Sequence, residues 1–266
     1  ELSEDIQNRL PWKGGPVFGT AIAAIDTALH DLAGKAWNVP VPVLLGGKRR
    51  DKIRVYSNGG PFASPQEAAA GARHTKALGF AGGKGNPLEN RTWPMDAAAI
   101  EHSVACVEAM RREVGTDFDI LLDAHGSPTP EMSIEFARRV ADYRPLFLEE
   151  PVKTGSVEAL LEVTHKSPVP IATGEKLFTL DQFQPLITAR ACAYLQPDLT
   201  HCFGLTGLLA IAQAAEASAP GKWRHMPSAA GHDPMVIHEK LLCAMLFIPS
   251  IDGSSHDFAE DSHDSD

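Results

Sequence analysis

The sequence predicts an α/β protein whose strands run parallel and close into a (β/α) barrel. Three observations predict it. Short apolar runs alternate with helix-length amphipathic stretches eight times along 266 residues, and connections that short leave only parallel neighbours. Eight units fit a closed barrel better than an open doubly wound sheet, and no GxGxxG follows the first strand, as a dinucleotide fold requires. The polar residues that end successive strands (Asp123, Glu149, Glu175 and Asp198, with His225 next) recur at intervals of 26, 26, 23 and 27 residues, each about one βα unit.

The elements follow in order. Residues 20–36, TAIAAIDTALHDLAGKA, set Ile22, Ile25, Leu29 and Leu32 at helical spacing, with Gly34 near the stop. KIRVYSNG then alternates as a strand. SPQEAAAGARHTKALGF opens on a capping box, Ser64 and Glu67, with Pro65 at the first helical position, and closes on Gly79. Strand-like GFAGGKG comes next. A helix over 96–113 leads to FDILLDAHG, and one from Pro130 to Tyr143 leads to PLFLEEP. Helices from Ser156, Leu180 and Leu205 lead to VPIATGEK, CAYLQPD and KWRHMP, and the last strand falls near AMLFIPS. Residues 252–266, DGSSHDFAEDSHDSD, are acidic and poor in apolar side chains, and are expected to be disordered.

Composition removes several classes of partner. A net charge of −10 with no basic cluster argues against nucleic acid and anionic membrane. No apolar run reaches the roughly 18 residues that span a bilayer. Four cysteines, Cys106, Cys192, Cys202 and Cys243, form no CxxC pair, so reduced thiols and a cytoplasmic location are expected. The opening ELSEDIQNRL has neither Met nor an apolar stretch, so either no signal peptide or one already removed is expected, the start reading as the middle of a longer chain.

The stretch PLFLEEPV carries the chemical question. Leu146, Phe147 and Leu148 read as a strand buried on both faces, yet it ends in Glu149 and Glu150. Negative charge at a buried strand end is costly unless paired. In a parallel barrel, side chains at the C-terminal strand ends converge on one mouth. Asp123, Glu149 and Glu175 then crowd together and stay ionised only around a cation. Hard oxygen ligands select Mg²⁺ or a similar ion. Taken singly, each carboxylate is an ordinary helix cap or solvated loop group; the equal intervals on consecutive strands are what that reading fails to explain. His125, two residues beyond Asp123, points into the same mouth, whereas Glu150 leaves the strand on the opposite side and is structural.

The segments GTAIAAIDTALHDLAGKAWNVPVPVLLGG, LLDAHG, LFLEEPV, IATGEKL and YLQPDLTHCFGLTG, over residues 14–216, resemble the enolase superfamily in its mandelate racemase/muconate lactonizing branch, nearest to the acid-sugar (D-galactonate-type) dehydratases. The resemblance implies a (β/α)7β barrel with an N-terminal α+β capping domain. Residues 1–50 are then the last part of an incomplete capping domain and 51–251 the barrel. It implies Mg²⁺ on Asp123, Glu149 and Glu175, an Asp-His dyad in Asp198 and His225, and a general acid in His125. The implied reaction removes the C2 proton of a sugar acid to give an ene-diolate, expels the C3 hydroxyl and yields a 2-keto-3-deoxy acid. Lys84 and Lys176 are candidate substrate contacts. A small-molecule substrate and a homo-oligomer are the expected partners.

Three departures qualify the resemblance. Where related racemases have Lys-x-Lys, this chain has Lys84 and then Asn86, which favours dehydration over racemisation. Only about fifty residues precede the first barrel strand, against about a hundred in the family. The match fades after AIAQAAEASAP, so His225 is assigned by spacing alone. A racemase, epimerase or cycloisomerase of the same superfamily is the second reading, and a catalytically impaired relative the third.

Overall fold

The computed structural model describes residues 15–48, 51–88 and 97–218. They fall into two compact units, one within Arg54–Ala172 and the other made of the chain up to Ile53 together with the chain from Thr173.

The first unit holds a parallel sheet in chain order: β1 (Tyr56–Gly60), β2 (Gly82–Gly85), β3 (Asp119–Asp123), β4 (Phe147–Glu149), then Ile171 and Ala172 of β5 (Ile171–Thr173). Ile120, Leu121, Leu122 and Leu148 are fully buried, the continuous apolar run of strands covered on both faces. Each such side chain stabilises the fold by about 1.5–3 kcal/mol. β2 reads GGKG because its neighbours come close: a Cβ on Gly85 would lie 2.4 Å from the Phe62 ring.

Four helices follow these strands: α3 (Pro65–Ala77), α4 (Ala97–Val114), α5 (Pro130–Val140) and α6 (Val157–Lys166). Side-chain oxygens cap the starts of two of these helices. Ser64 Oγ accepts from Glu67 N at 3.2 Å and Ser156 Oγ from Ala159 N at 3.1 Å, each satisfying an orphan amide. Gly79 takes φ +91° after α3, and its N–H reaches Lys76 O while Phe80 N–H reaches Thr75 O, a Schellman closure. α4 buries Ile100, Val104, Val107, Met110 and Val114 along one face.

Arg111 on α4 ties the unit together. Its guanidinium donates to the carbonyls of Tyr143, Gly115, Phe118 and Arg144. Burial holds its pKa below the ordinary arginine value, but the group stays charged. Arg111→Met is expected to lower stability by about 2–4 kcal/mol, because a charged donor is lost and the carbonyls are left to find water. A urea titration measures it; an unchanged midpoint contradicts it.

The second unit contains α1 (Pro16–Trp37), α2 (Val41–Leu44), Thr173 of β5, α7 (Leu180–Ala189), β6 (Tyr194–Leu195) and α8 (Gly204–Ser218). α1 ends at Trp37, three residues past Gly34, which the sequence sets near its stop. Asn38, at φ +54°, takes the left-handed position instead, and Asn38 N–H and Val39 N–H close onto Lys35 O and Gly34 O at 3.2 and 2.9 Å. Gly34 serves a different need: a Cβ there would meet Val39 O at 2.8 Å. Phe183, Ile187, Cys202 and Ile211 form the unit's core cluster, with Leu177, Leu195 and Leu208 against it.

The first strand begins later than the alternation predicts, at Tyr56 rather than in KIRV. The strands expected at KWRHMP and AMLFIPS, the tail 252–266, Cys243 and His225 lie outside the described residues. Cys106, Cys192 and Cys202 form no disulfide among the described residues. Among the described residues no helix is long and apolar enough to cross a membrane.

Candidate metal centre

β3 and β4 pair with Asp123 opposite Glu149, so two carboxylates stand side by side at the same strand level. Both are nearly water-free, and the charge is met by Lys84 on β2. Its ammonium lies 3.0 Å from Asp123 Oδ2 and 2.9 Å from Glu149 Oε2, with all three side chains at most 5% exposed. Burial by itself pulls the lysine pKa down, but Glu149 and then Asp123 outweigh it and hold the ammonium above its ordinary value. For Asp123, burial pushes the carboxyl up, while the hydrogen bond from His125 and the charge of Lys84 bring it below its usual range. The group is a carboxylate in neutral solution.

His125 is folded back over this pair. Its left-handed φ of +49° lets its backbone N–H donate to Asp123 Oδ1 at 3.0 Å and puts Nε2 3.2 Å from Asp123 Oδ2. The ring is 43% exposed, open to a small molecule. Nδ1 meets Asn86 Nδ2 at 2.8 Å, and Asn86 Oδ1 accepts from Leu88 N–H at 3.1 Å. Asn86, singled out in the sequence only for not being lysine, thus braces the histidine ring. Glu150 is buried, at φ +43°, and its backbone joins neighbouring strand ends through Glu150 N–H to Ala172 O and Gly126 N–H to Glu150 O.

Glu175 follows β5 at three residues past Ala172, the register partner of Glu149. Asp123, Glu149 and Glu175 each present one carboxylate oxygen, and the three atoms lie within 4.8 Å of one another. Oxygens on one Mg²⁺ at about 2.1 Å stand no more than about 4.2 Å apart. The cluster is therefore near ligand spacing, and an all-oxygen donor set suits a hard divalent ion. Lys176, beside Glu175, is exposed.

Asp198 ends the segment after β6. Its Oδ1 accepts from both Thr200 N–H and Thr200 Oγ1 at 2.7 Å, and Oδ2 lies 3.6 Å from His201 Nε2. Its expected partner His225 lies outside the described residues. The sequence reading missed Thr200 and His201, although Asp-x-Thr is an ordinary signal for a side chain that bonds its own turn.

Comparison with known proteins adds independent evidence. Residues 66–252 match the model of the enolase C-terminal domain-like family, and residues 6–46 match the N-terminal domain of the mandelate racemase/muconate lactonizing enzyme family. D-galactonate dehydratase of Cronobacter sakazakii is 38% identical over 216 residues, and that of Ralstonia nicotianae 39%; each alignment covers 81% of this chain. The chain spans 56% of the length of these relatives. Among solved structures, a putative dehydratase from Mesorhizobium loti aligns with TM-score 0.78 and 31% identity, covering 85% of this chain and 61% of that one. An enolase-superfamily member from Salmonella Typhimurium aligns with TM-score 0.77 and 27% identity, covering 82% and 61%.

Proposed function

Because the chain belongs to the enolase superfamily, in its mandelate racemase/muconate lactonizing branch, we propose that it is a Mg²⁺-dependent dehydratase of a sugar acid, D-galactonate or a similar aldonate. The observation that carries the proposal is the cluster of Asp123, Glu149 and Glu175 oxygens with an open histidine beside it. These three residues would hold the ion, which when bound stabilises the charge that builds on a substrate carboxylate as its α-proton leaves.

The chain's own groups divide the remaining work. Lys84 keeps Asp123 and Glu149 ionised in a dry setting, and buried there it acts on substrate through them. His125, held over Asp123, delivers a proton toward the departing C3 hydroxyl. Asp198, with one oxygen committed to Thr200, offers the other to orient a base, which the spacing assigns to His225, for the C2 proton. Lys176, next to Glu175 in the chain and exposed, is in this proposal a contact for the substrate carboxylate or a neighbour of the ion site. The same proposal has a small-molecule substrate, a cytoplasmic setting and a homo-oligomeric assembly, without nucleic acid or membrane.

The test is a screen of the full chain against acid sugars with Mg²⁺, read as 2-keto acid formation. Turnover that EDTA abolishes and Mg²⁺ restores is the expected result. Exchange of the C2 proton without elimination would reassign the chain to a racemase-type reaction. Neither turnover nor metal binding would make it a silent relative.

A further inference from the structure

The proposed reaction needs the Asp198 carboxylate fixed, and the structure shows what fixes the turn that carries it. Between β6 and α8 the chain folds tightly on itself: His201 N–H and Cys202 N–H both donate to Asp198 O, at 3.0 and 2.8 Å. That turn is held from outside by α1, a segment about 180 residues earlier. Gly19 lets α1 approach so closely that a Cβ would lie 2.3 Å from His201 O. Thr20 Oγ1 is 2.9 Å from His201 Nδ1. Two turns further along the same helix face, Asp26 is 2% exposed and accepts from Thr206 N–H at 3.1 Å and Thr206 Oγ1 at 2.6 Å.

Asp26 is therefore an N-cap supplied by another helix. Thr206 is the third residue of α8, whose first-turn amides have no partner inside the helix, and a carboxylate there also meets the positive end of the helix dipole. Gly204, at φ +76°, leaves room for it: a Cβ would sit 2.6 Å from Asp26 Oδ2. His30, one turn along α1, braces Asp26 from its own side, with Nδ1 2.8 Å from Asp26 O and 3.4 Å from Oδ2.

We propose that Asp26 is a positioning residue for Asp198, holding through Thr206 and the turn ahead of it the carboxylate that orients the base. The inference rests on the dehydratase reading for its consequence in catalysis, but the mechanical link stands on contacts within one unit. α1 lies in the part of the chain that matches the N-terminal family domain, so this link makes that domain a structural participant in the proton transfer at C2.

Asp26→Asn keeps one acceptor and the side-chain shape, and Thr206→Val removes the hydroxyl from the other side. In both, amide hydrogen exchange at His201 and Cys202 is expected to quicken about tenfold while amides of α4 stay unchanged. With an active wild type, kcat on the sugar acid falls about tenfold, KM stays within about twofold, and the isotope effect from deuterium at C2 rises. Unchanged exchange at His201 and Cys202 overturns the link. Faster exchange with unchanged kcat overturns the positioning role. A wild type that turns over no sugar acid defeats the dehydratase reading instead, and the exchange data alone then decide whether Asp26 holds the turn.

Discussion

Asp123→Asn is expected to remove divalent-ion binding and sugar-acid turnover together while leaving the protein folded. Asparagine keeps an oxygen to accept from His125 N–H, now at 3.0 Å, so the turn that folds His125 back survives. It loses the negative charge that pairs with Lys84 at 3.0 Å, but Glu149 still holds the ammonium at 2.9 Å. The replaced amide offers a hard ion only a neutral oxygen in a set of three. Ion affinity should fall by more than about a hundredfold, the upper end of what is lost when a residue that merely supports a ligand is removed. Turnover should fall by at least about a hundredfold, the loss on deleting a single electrostatic donor. Calorimetry with Mg²⁺ and a coupled assay for 2-keto acid measure the two. A variant that binds Mg²⁺ with wild-type affinity would remove Asp123 from the ligand set, and the proposed chemistry with it.

Asp123 and Glu149 were legible in the sequence for a geometric reason. Parallel strands joined by units of similar length end at the same level, so a carboxylate closing LLD and one closing LFLE fall opposite each other, as the Asp123–Glu149 register shows. Helix ends were legible where the signal is local, as at Ser64, Ser156 and Gly79. Gly34 marked the neighbourhood of the helix end but not the cap itself, because a glycine near a helix end has two uses, a left-handed φ or a close approach, and sequence does not separate them; Asn38 supplied the first and Gly34 the second. Lys84 was visible as a charge within GGKG, but its role was not. Only the sheet brings its ammonium to two carboxylates on the next two strands, 39 and 65 residues onward. The Asp26 cap on Thr206 was beyond any local reading, since a cap is normally sought in the residue that precedes its helix. Asn86 illustrates a subtler limit: its identity was noticed for the lysine it replaces, whereas its two hydrogen bonds are what the site uses.

The largest stability effect is expected from Lys84→Met, measured without divalent ions. Methionine fills a similar volume, so packing changes little, but Asp123 and Glu149 are left buried with no ammonium between them. Breaking a buried pair by removing one partner costs about 3–5 kcal/mol, which should appear as a large drop in the urea midpoint. The pH dependence gives the cause. Asp123 in the wild type is held below its ordinary value by His125 and Lys84 against burial. A depressed carboxyl contributes stability that is present above its unfolded pKa, near 3.9, and lost as pH falls through the lower folded value. Lys84 is raised, so its share is complete below its unfolded value near 10.4 and is lost only in stronger alkali. In the variant the lowering influence of Lys84 is gone and burial remains, so the Asp123 carboxyl shifts upward. Protonation then relieves the variant, and the stability gap from wild type narrows as the solution is acidified. Mg²⁺ should close the same gap at neutral pH by replacing the lost cation, stabilising the variant more than the wild type by mass action. A gap that stays constant from acid to neutral pH, or that ignores Mg²⁺, would mean that Lys84 contributes through packing alone.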